Sequence, residues 1–251
     1  MNILNKMSSL LKKRGEAKHP FTSAVIVAGG RGERVGADKP KQHLLVAGKE
    51  VVVHSMLAFE NCELIDEIIA VCRDGEEAIY DSYKAKYGIT KLKIAVTGGT
   101  TRQESALRGF EAISEKSKYI AIHDAARCLI TPKDIDRILH DAYKYRAASA
   151  AAKCTDTIKL IDENGFVSKT LDREHIYLAA TPQVFERNLY MTAAYSAKKD
   201  GVTVTDDNAL AERLGFKVKL SECQSTRLKI TKSEDLITAE AMINNNDPSI
   251  K

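Results

Sequence analysis

Residues 23–34 read Ser23-Ala24-Val25-Ile26-Val27-Ala28-Gly29-Gly30-Arg31-Gly32-Glu33-Arg34, and the basic character continues through Lys39-Pro40-Lys41-Gln42. An apolar run suited to a strand is followed at once by a glycine-rich turn and then by cations. Glycine lets the chain turn tightly and lets backbone N–H groups approach a phosphate that a Cβ would hold off. Arginine and lysine after such a turn add charge where the backbone adds dipoles. The turn matches neither common phosphate fingerprint. It lacks G-x-x-x-x-G-K-[ST], and although Gly30-Arg31-Gly32 begins like a dinucleotide turn, Val35 takes the third glycine position and Pro40 interrupts any helix. A plain strand-to-helix connection is the alternative, and Arg34 and Lys41 on either side of Pro40 argue against it.

From Thr22 onward, short β-rich runs alternate with longer amphipathic ones, as in a parallel sheet with crossover helices. Strands are expected at 23–27, 67–72, 92–96, 119–122, 148–154, 217–222 and 228–230, and helices at 51–61, 76–87, 105–113, 132–145, 187–199, 206–214 and 233–243. Thr131 before Pro132 reads as an N-cap, and Ser233 before Glu234 and Asp235 follows the same logic. The expected fold class is α/β: a doubly wound, mostly parallel Rossmann-like sheet. Residues 155–162 and 165–172 read as two strands joined at Glu163-Asn164-Gly165, a hairpin arm protruding from that sheet. The expected organisation is an N-terminal extension over 1–21, one domain over 22–243 with the arm at about 155–172, and a loose polar tail over 244–251.

Composition agrees with a single domain, since 251 residues with 44% hydrophobic side chains can bury one large core. No run of about 18 apolar residues is present, and the first residues lack a secretory apolar stretch, so a cytoplasmic protein with no membrane association is expected. The five cysteines are odd in number, scattered and never spaced C-x-x-C, which suggests reduced thiols and neither disulfides nor a zinc ribbon. A net charge of +4 spread along the chain suits an anionic small molecule better than nucleic acid.

In open α/β sheets ligands bind beyond the carboxyl ends of the strands, and two further segments follow strands. In Gly98-Gly99-Thr100-Thr101-Arg102-Gln103-Glu104-Ser105, paired glycines, a cation and hydroxyls lie at the mouth of a helix, a cradle for a base, sugar or phosphate or else a simple capped loop. In His123-Asp124-Ala125-Ala126-Arg127, a strand delivers an acid and an arginine to the same edge. Asp124 suits a hydroxyl, or Mg²⁺ directly or through water; the alternative is that Asp124 and Arg127 merely pair. His123 and Cys128 read as packed side chains, with no metal-binding spacing to recruit the histidine.

Together these segments, with Asp156-Thr157, Asp172-Arg173, Thr181-Pro182-Gln183, Thr205-Asp206-Asp207 and Leu228-Lys229-Ile230-Thr231, resemble the 2-C-methyl-D-erythritol 4-phosphate cytidylyltransferase family of the non-mevalonate isoprenoid pathway. The resemblance runs from Ser23 to about Ile243 and rests on the order and spacing of motifs that are individually weak. It implies transfer of a cytidylyl group from CTP to the sugar-alcohol phosphate with release of pyrophosphate, assisted by Mg²⁺ or another divalent cation. Arg34, Lys41 and Lys229 would be the catalytic cations. Ala28, Gly29, Gly30, Arg31, Gly32, Gly99, Thr100, Ser105, Asp124 and Ala125 would hold the nucleotide, and Arg127, Thr157, Arg173, Thr181 and Thr205 the acceptor. No residue is expected as a firm direct metal ligand, Asp124 acting through water if at all. The resemblance also implies a homodimer whose arms cross, so that Thr157 and Arg173 act in the neighbouring subunit. Two positions depart from the family, which commonly has proline where this chain has Val27 and Cys128. Ribitol 5-phosphate cytidylyltransferases share most of these motifs and form the first alternative. A non-catalytic nucleotide sensor is the second, and a dinucleotide-dependent oxidoreductase is disfavoured by the missing third glycine.

Overall fold

The computed structural model describes residues 19–30 and 39–245. In chain order the elements are β1 (Thr22–Val27), β2 (Leu45–Val46), β3 (Lys49–Glu50), α1 (Val51–Glu60), β4 (Glu67–Cys72), α2 (Glu77–Tyr87), β5 (Leu92–Thr97), α3 (Arg102–Glu111), β6 (Tyr119–Asp124), α4 (Pro132–Tyr145) and β7 (Ala147–Lys153), followed by β8 (Lys159–Ile161), β9 (Val167–Thr170), β10 (Tyr177–Glu186), α5 (Arg187–Lys199), α6 (Asp207–Arg213), β11 (Lys219–Glu222) and α7 (Ser233–Asn244).

β1 lies inside the main sheet because its side chains are apolar on both faces. Ala24 and Ile26 pack into the cluster formed with α1, α2 and α4, while Val25 packs into the one formed with α3, α5 and α6. The sheet order is β11-β7-β10-β6-β1-β4-β5. β1 pairs in parallel with β4 and with β6, β4 pairs in parallel with β5, and β11 pairs in parallel with β7. α3 approaches β1 closely at Gly109, where an added Cβ would come within 2.3 Å of Val25 Cγ1. The doubly wound, mostly parallel α/β architecture expected from the sequence is therefore present.

Four local expectations are corrected. β10 was not anticipated; it is antiparallel to both β6 and β7 and sits between them. Proline inside a run argues against a central strand, but Pro182 falls within the irregularity between Ala179 and Gln183, where the ladder with β7 is already interrupted. The expected strand at 228–230 is irregular chain: Leu228 and Ile230 alternate inward onto the cluster around Val46, Val51 and Leu129, and that packing mimics a strand pattern. α3 begins at Arg102, earlier than expected, because Thr101 is its N-cap and accepts the Glu104 N–H. Ser233 is the first residue of α7 and not its cap; the Asp235 carboxylate instead accepts the N–H groups of Thr231 and Lys232 at 2.7 and 2.8 Å. Thr131 does cap α4, accepting from Asp134 N–H.

β8 and β9 pair antiparallel in a separate two-stranded sheet, as expected for the arm. Its turn is set by Asp162, whose Oδ1 accepts from the N–H groups of Asn164 and Phe166, and by Gly165 at φ +84°. Most of the proposed extension (1–18), the end of the tail (246–251) and residues 31–38 lie outside the described residues.

Candidate active site

The segments following β1, β4, β5 and β6 line one cavity of about 620 Å³ at the carboxyl ends of the strands. They are tied together by backbone hydrogen bonds: Ala28 N–H to Val71 O at 2.7 Å, Gly98 N–H to Cys72 O at 2.8 Å, and Ala125 N–H to Val27 O at 3.0 Å. At Gly30, which lines the cavity, a Cβ would meet no atom within 4 Å among the described residues beyond its chain neighbours. At Gly99 the reason is internal, since a Cβ there would lie 2.3 Å from Glu104 Cβ.

The loop after β5 is closed by its own side chains. Ser105 Oγ accepts from Gly99 N–H at 3.0 Å and donates to Thr101 O at 2.9 Å, while Thr100 donates both its N–H and its hydroxyl to Glu104 Oε2, at 2.8 and 2.7 Å. Ala28, Gly29, Gly30, Gly99, Thr100, Ser105, Asp124 and Ala125 all border the cavity, together with Lys41 and Lys229. Lys41 donates to the Ile230 carbonyl at 2.8 Å, and Ile230 N–H donates to Ala126 O at 2.9 Å, which draws the segment carrying Lys229 against the end of β6.

Asp124 stands at the centre of the charge. Its Oδ1 accepts from Arg102 Nε at 2.8 Å and its Oδ2 from Lys229 Nζ at 2.6 Å. Burial opposes its charge, but the Arg102 guanidinium and the Lys229 ammonium more than offset this and hold the carboxyl well below the usual range. Arg102 also donates through Nη1 to Asp207 Oδ2 at 2.7 Å. Burial lifts the Asp207 carboxyl above its usual range, against the pull of that guanidinium. Arg102 and Asp207 fell within quoted motifs without an assigned role; their separation by 105 positions hid the contact, and only an acid at the start of a helix hinted at it.

Arg31, Gly32 and Arg34 lie outside the described residues. The five residues expected on the acceptor side do not line this cavity. Arg127 donates through Nη1 to Thr226 O and through Nη2 to Ala179 O, bracing the start of β10, and it has no ion pair with Asp124. Thr181 is buried, its hydroxyl accepting Asp124 N–H at 3.0 Å and facing His123 Nδ1 at 3.1 Å. Thr205 is exposed just before Asp206, the N-cap of α6. Thr157 and Arg173 are exposed on and beside the arm, where Arg173 Nη1 donates to Thr155 O at 3.0 Å. His123 is fully buried, and burial lowers its pKa to about 3, so it is a neutral packed ring tilted against Phe59 with centroids 5.1 Å apart. Cys128 is buried too, its thiol pushed up to about 12, which leaves no reactive thiolate.

A family model described as IspD, 2-C-methyl-D-erythritol 4-phosphate cytidylyltransferase, matches residues 22–245. The chain belongs to this family. It is similar to the 2-C-methyl-D-erythritol 4-phosphate cytidylyltransferases of Syntrophus aciditrophicus, at 38% identity over 89% of this chain and 96% of that one, and of Caldanaerobacter subterraneus, at 40% over 88% and 98%. Among solved structures, the 4-diphosphocytidyl-2C-methyl-D-erythritol synthase of Anaerococcus prevotii superposes with a TM-score of 0.80 at 30% identity, covering 89% of this chain and 98% of that one. As a cytidylyltransferase of this family the chain is a nucleotidyltransferase, and the cavity is where its glycine turns and cations converge. At the two positions where the family commonly has proline, Val27 lines the cavity and Cys128 packs with Val46, Val51 and Leu129, so neither interrupts the arrangement.

Proposed function

We propose that this cavity is where the chain joins CTP to 2-C-methyl-D-erythritol 4-phosphate, releasing pyrophosphate and giving 4-diphosphocytidyl-2-C-methyl-D-erythritol for isoprenoid synthesis. The observation that carries the reading is the convergence of Lys41, Lys229 and Asp124 on a glycine-lined cavity in a chain of this family. The family model and the relatives named above favour methylerythritol phosphate over ribitol phosphate as acceptor.

The physical problem is the approach of one phosphate to another. The acceptor must attack the α-phosphorus in line, so both reactants are anions and repulsion is the first obstacle. The backbone N–H groups of Gly29 and Gly30 suit the triphosphate, with Arg31, Gly32 and Arg34 following in sequence, and Lys41 meets charge gathering on the α-phosphoryl oxygens. Gly99, Thr100 and Ser105 shape the side for base and ribose. Lys229, steadied by Asp124, reaches the point where nucleotide and acceptor meet. A phosphate monoester, with a second pKa of about 6, is already largely dianionic near neutral pH, so no strong base or covalent intermediate is needed. Catalysis is then positioning and electrostatics.

Asp124 also fits a family-implied Mg²⁺. Each of its oxygens accepts one hydrogen bond and keeps a further lone-pair direction, and Mg²⁺ typically uses one or two carboxylates, waters and substrate phosphates. Bound there, the ion would neutralise triphosphate charge.

The same proposal includes a homodimer in which the arm completes the neighbouring site. It is supported by the arm's exposed apolar residues, Phe166 at 73% and Ile161 at 64%, and by the position of Thr157 and Arg173 away from the cavity of their own chain. We place the enzyme in the cytoplasm, a reading supported by five unpaired, buried cysteines; among the described residues no helix is long and apolar enough to cross a membrane.

Steady-state kinetics test the roles. Lys41→Ala and Arg34→Ala should each lower kcat by about 10²–10³-fold, the scale of one lost transition-state contact. Arg173→Ala should raise the acceptor KM while leaving that for CTP nearly unchanged. Wild-type turnover in both lysine and arginine variants would contradict the assignment.

A further inference from the structure

Arg102 is the first residue of α3, where the helix dipole disfavours a cation. Two carboxylates from different elements hold it there, Asp124 at the end of β6 and Asp207 at the start of α6. An arginine beside one carboxylate commonly takes both of its oxygens with two parallel N–H bonds. Here that fork is split. Nε and Nη2 share one edge of the guanidinium, yet only Nε reaches Asp124, through Oδ1, and Nη2 is buried with no hydrogen-bond partner among the described residues. The oxygen that Nη2 would take in a fork, Asp124 Oδ2, accepts from Lys229 instead.

Asp207 is built to keep the fork open. It is 1% exposed and accepts from Arg102 Nη1 at 2.7 Å. Its other oxygen accepts from the Tyr190 hydroxyl at 3.3 Å, and its N–H donates to Gln183 Oε1 at 2.8 Å. Gln183 in turn donates to Asp206 Oδ2 at 2.8 Å, so β10 and α6 fix the carboxylate from both sides. We propose that Asp207 is a positioning residue for the transfer: by drawing on the far end of the Arg102 guanidinium, it prevents that side chain from capturing both oxygens of Asp124 and so keeps one of them for Lys229. The inference rests on the placement of Lys229 beside the reacting groups.

Without the charge at 207, Arg102 turns its second N–H to Asp124 Oδ2, and Lys229 then shares that oxygen with a competing cation and is held less firmly. The test is a double-mutant cycle on the full chain, with pyrophosphate release read in wild type, Asp207→Asn, Lys229→Ala and the double variant. Asp207→Asn keeps shape and hydrogen-bonding capacity but removes charge. It should lower acceptor kcat/KM by about tenfold, the scale of one hydrogen bond to a charged group, with the KM for CTP and the melting temperature little changed. In the Lys229→Ala background the same substitution should change activity by less than about twofold, because coupled residues are not additive. Asp207→Ser, which cannot reach Arg102, should show a larger loss with the same dependence on background, and it carries the test if Asp207→Asn does not fold. Equal fold-losses in both backgrounds, or wild-type kinetics in Asp207→Asn, would overturn the proposal. Lys229→Ala alone separates the two levels. Wild-type turnover there removes the placement on which the inference rests, whereas a large loss there with none in Asp207→Asn removes only the inference.

Discussion

Asp124 and His123 are neighbours at the end of β6 with opposite electrostatic fates. Asp124 is buried beside two cations and stays charged; His123 is buried beside a threonine hydroxyl and an aromatic ring and stays neutral. The histidine has a measurable consequence. Its native pKa of about 3 lies below the ordinary value of about 6.5, so the unfolded chain binds the extra proton first. Its contribution to stability is therefore full above pH 6.5 and is lost as pH falls from there toward 3. At pH 4.5 the cost should be about 2–3 kcal/mol relative to pH 7, at 1.36 kcal/mol per pH unit. Urea unfolding of the unliganded protein should show a steeper acid loss in wild type than in His123→Gln, and parallel curves would contradict the assignment. The Arg102–Asp207 contact marks the limit of reading single residues: glycines, lysines and the Asp-Ala-Ala-Arg run announce themselves locally, but a split ion pair is a property of packing.

At the scale of elements, the arm is legible because Asn164-Gly165 and its flanking alternation encode a hairpin without help from the rest of the fold. β10 is not, because Pro182 breaks its local pattern and only pairing with β6 and β7 on either side makes it a strand. The arm itself gives the sharpest element-level prediction. If it completes a neighbouring site, Arg34→Ala and Arg173→Ala are defects in different parts of a shared site. With acceptor held well below the raised KM of Arg173→Ala, each variant alone should be nearly inactive. Co-expression should recover about a quarter of wild-type activity, because half of randomly formed dimers carry one intact site out of two. Absence of recovery, with mixed dimers confirmed by differential tagging, would place the whole site within one chain.

At the scale of the molecule, the sheet runs outward from β1 in two directions, through β4 and β5 on one side and β6 on the other. The connections after these strands open a crevice at their carboxyl ends, where open α/β sheets bind ligands. That logic was available from the alternation of apolar runs, and among the described residues Gly29, Gly30, Gly98, Gly99, Lys41 and Lys229 border one cavity at that edge. The acceptor side is less legible because its expected residues are dispersed over the segment after β6, β10, the loop before α6 and an arm whose Thr157 and Arg173 do not line the cavity of their own chain. The central claim is cytidylyl transfer at this crevice, and pyrophosphate release from CTP and Mg²⁺ tests it most directly, with 2-C-methyl-D-erythritol 4-phosphate and ribitol 5-phosphate offered in parallel and UTP and ATP as controls. The account predicts turnover with CTP and the methylerythritol phosphate, and much less with any other pairing. Preference for ribitol phosphate, or no release with either acceptor, would contradict it.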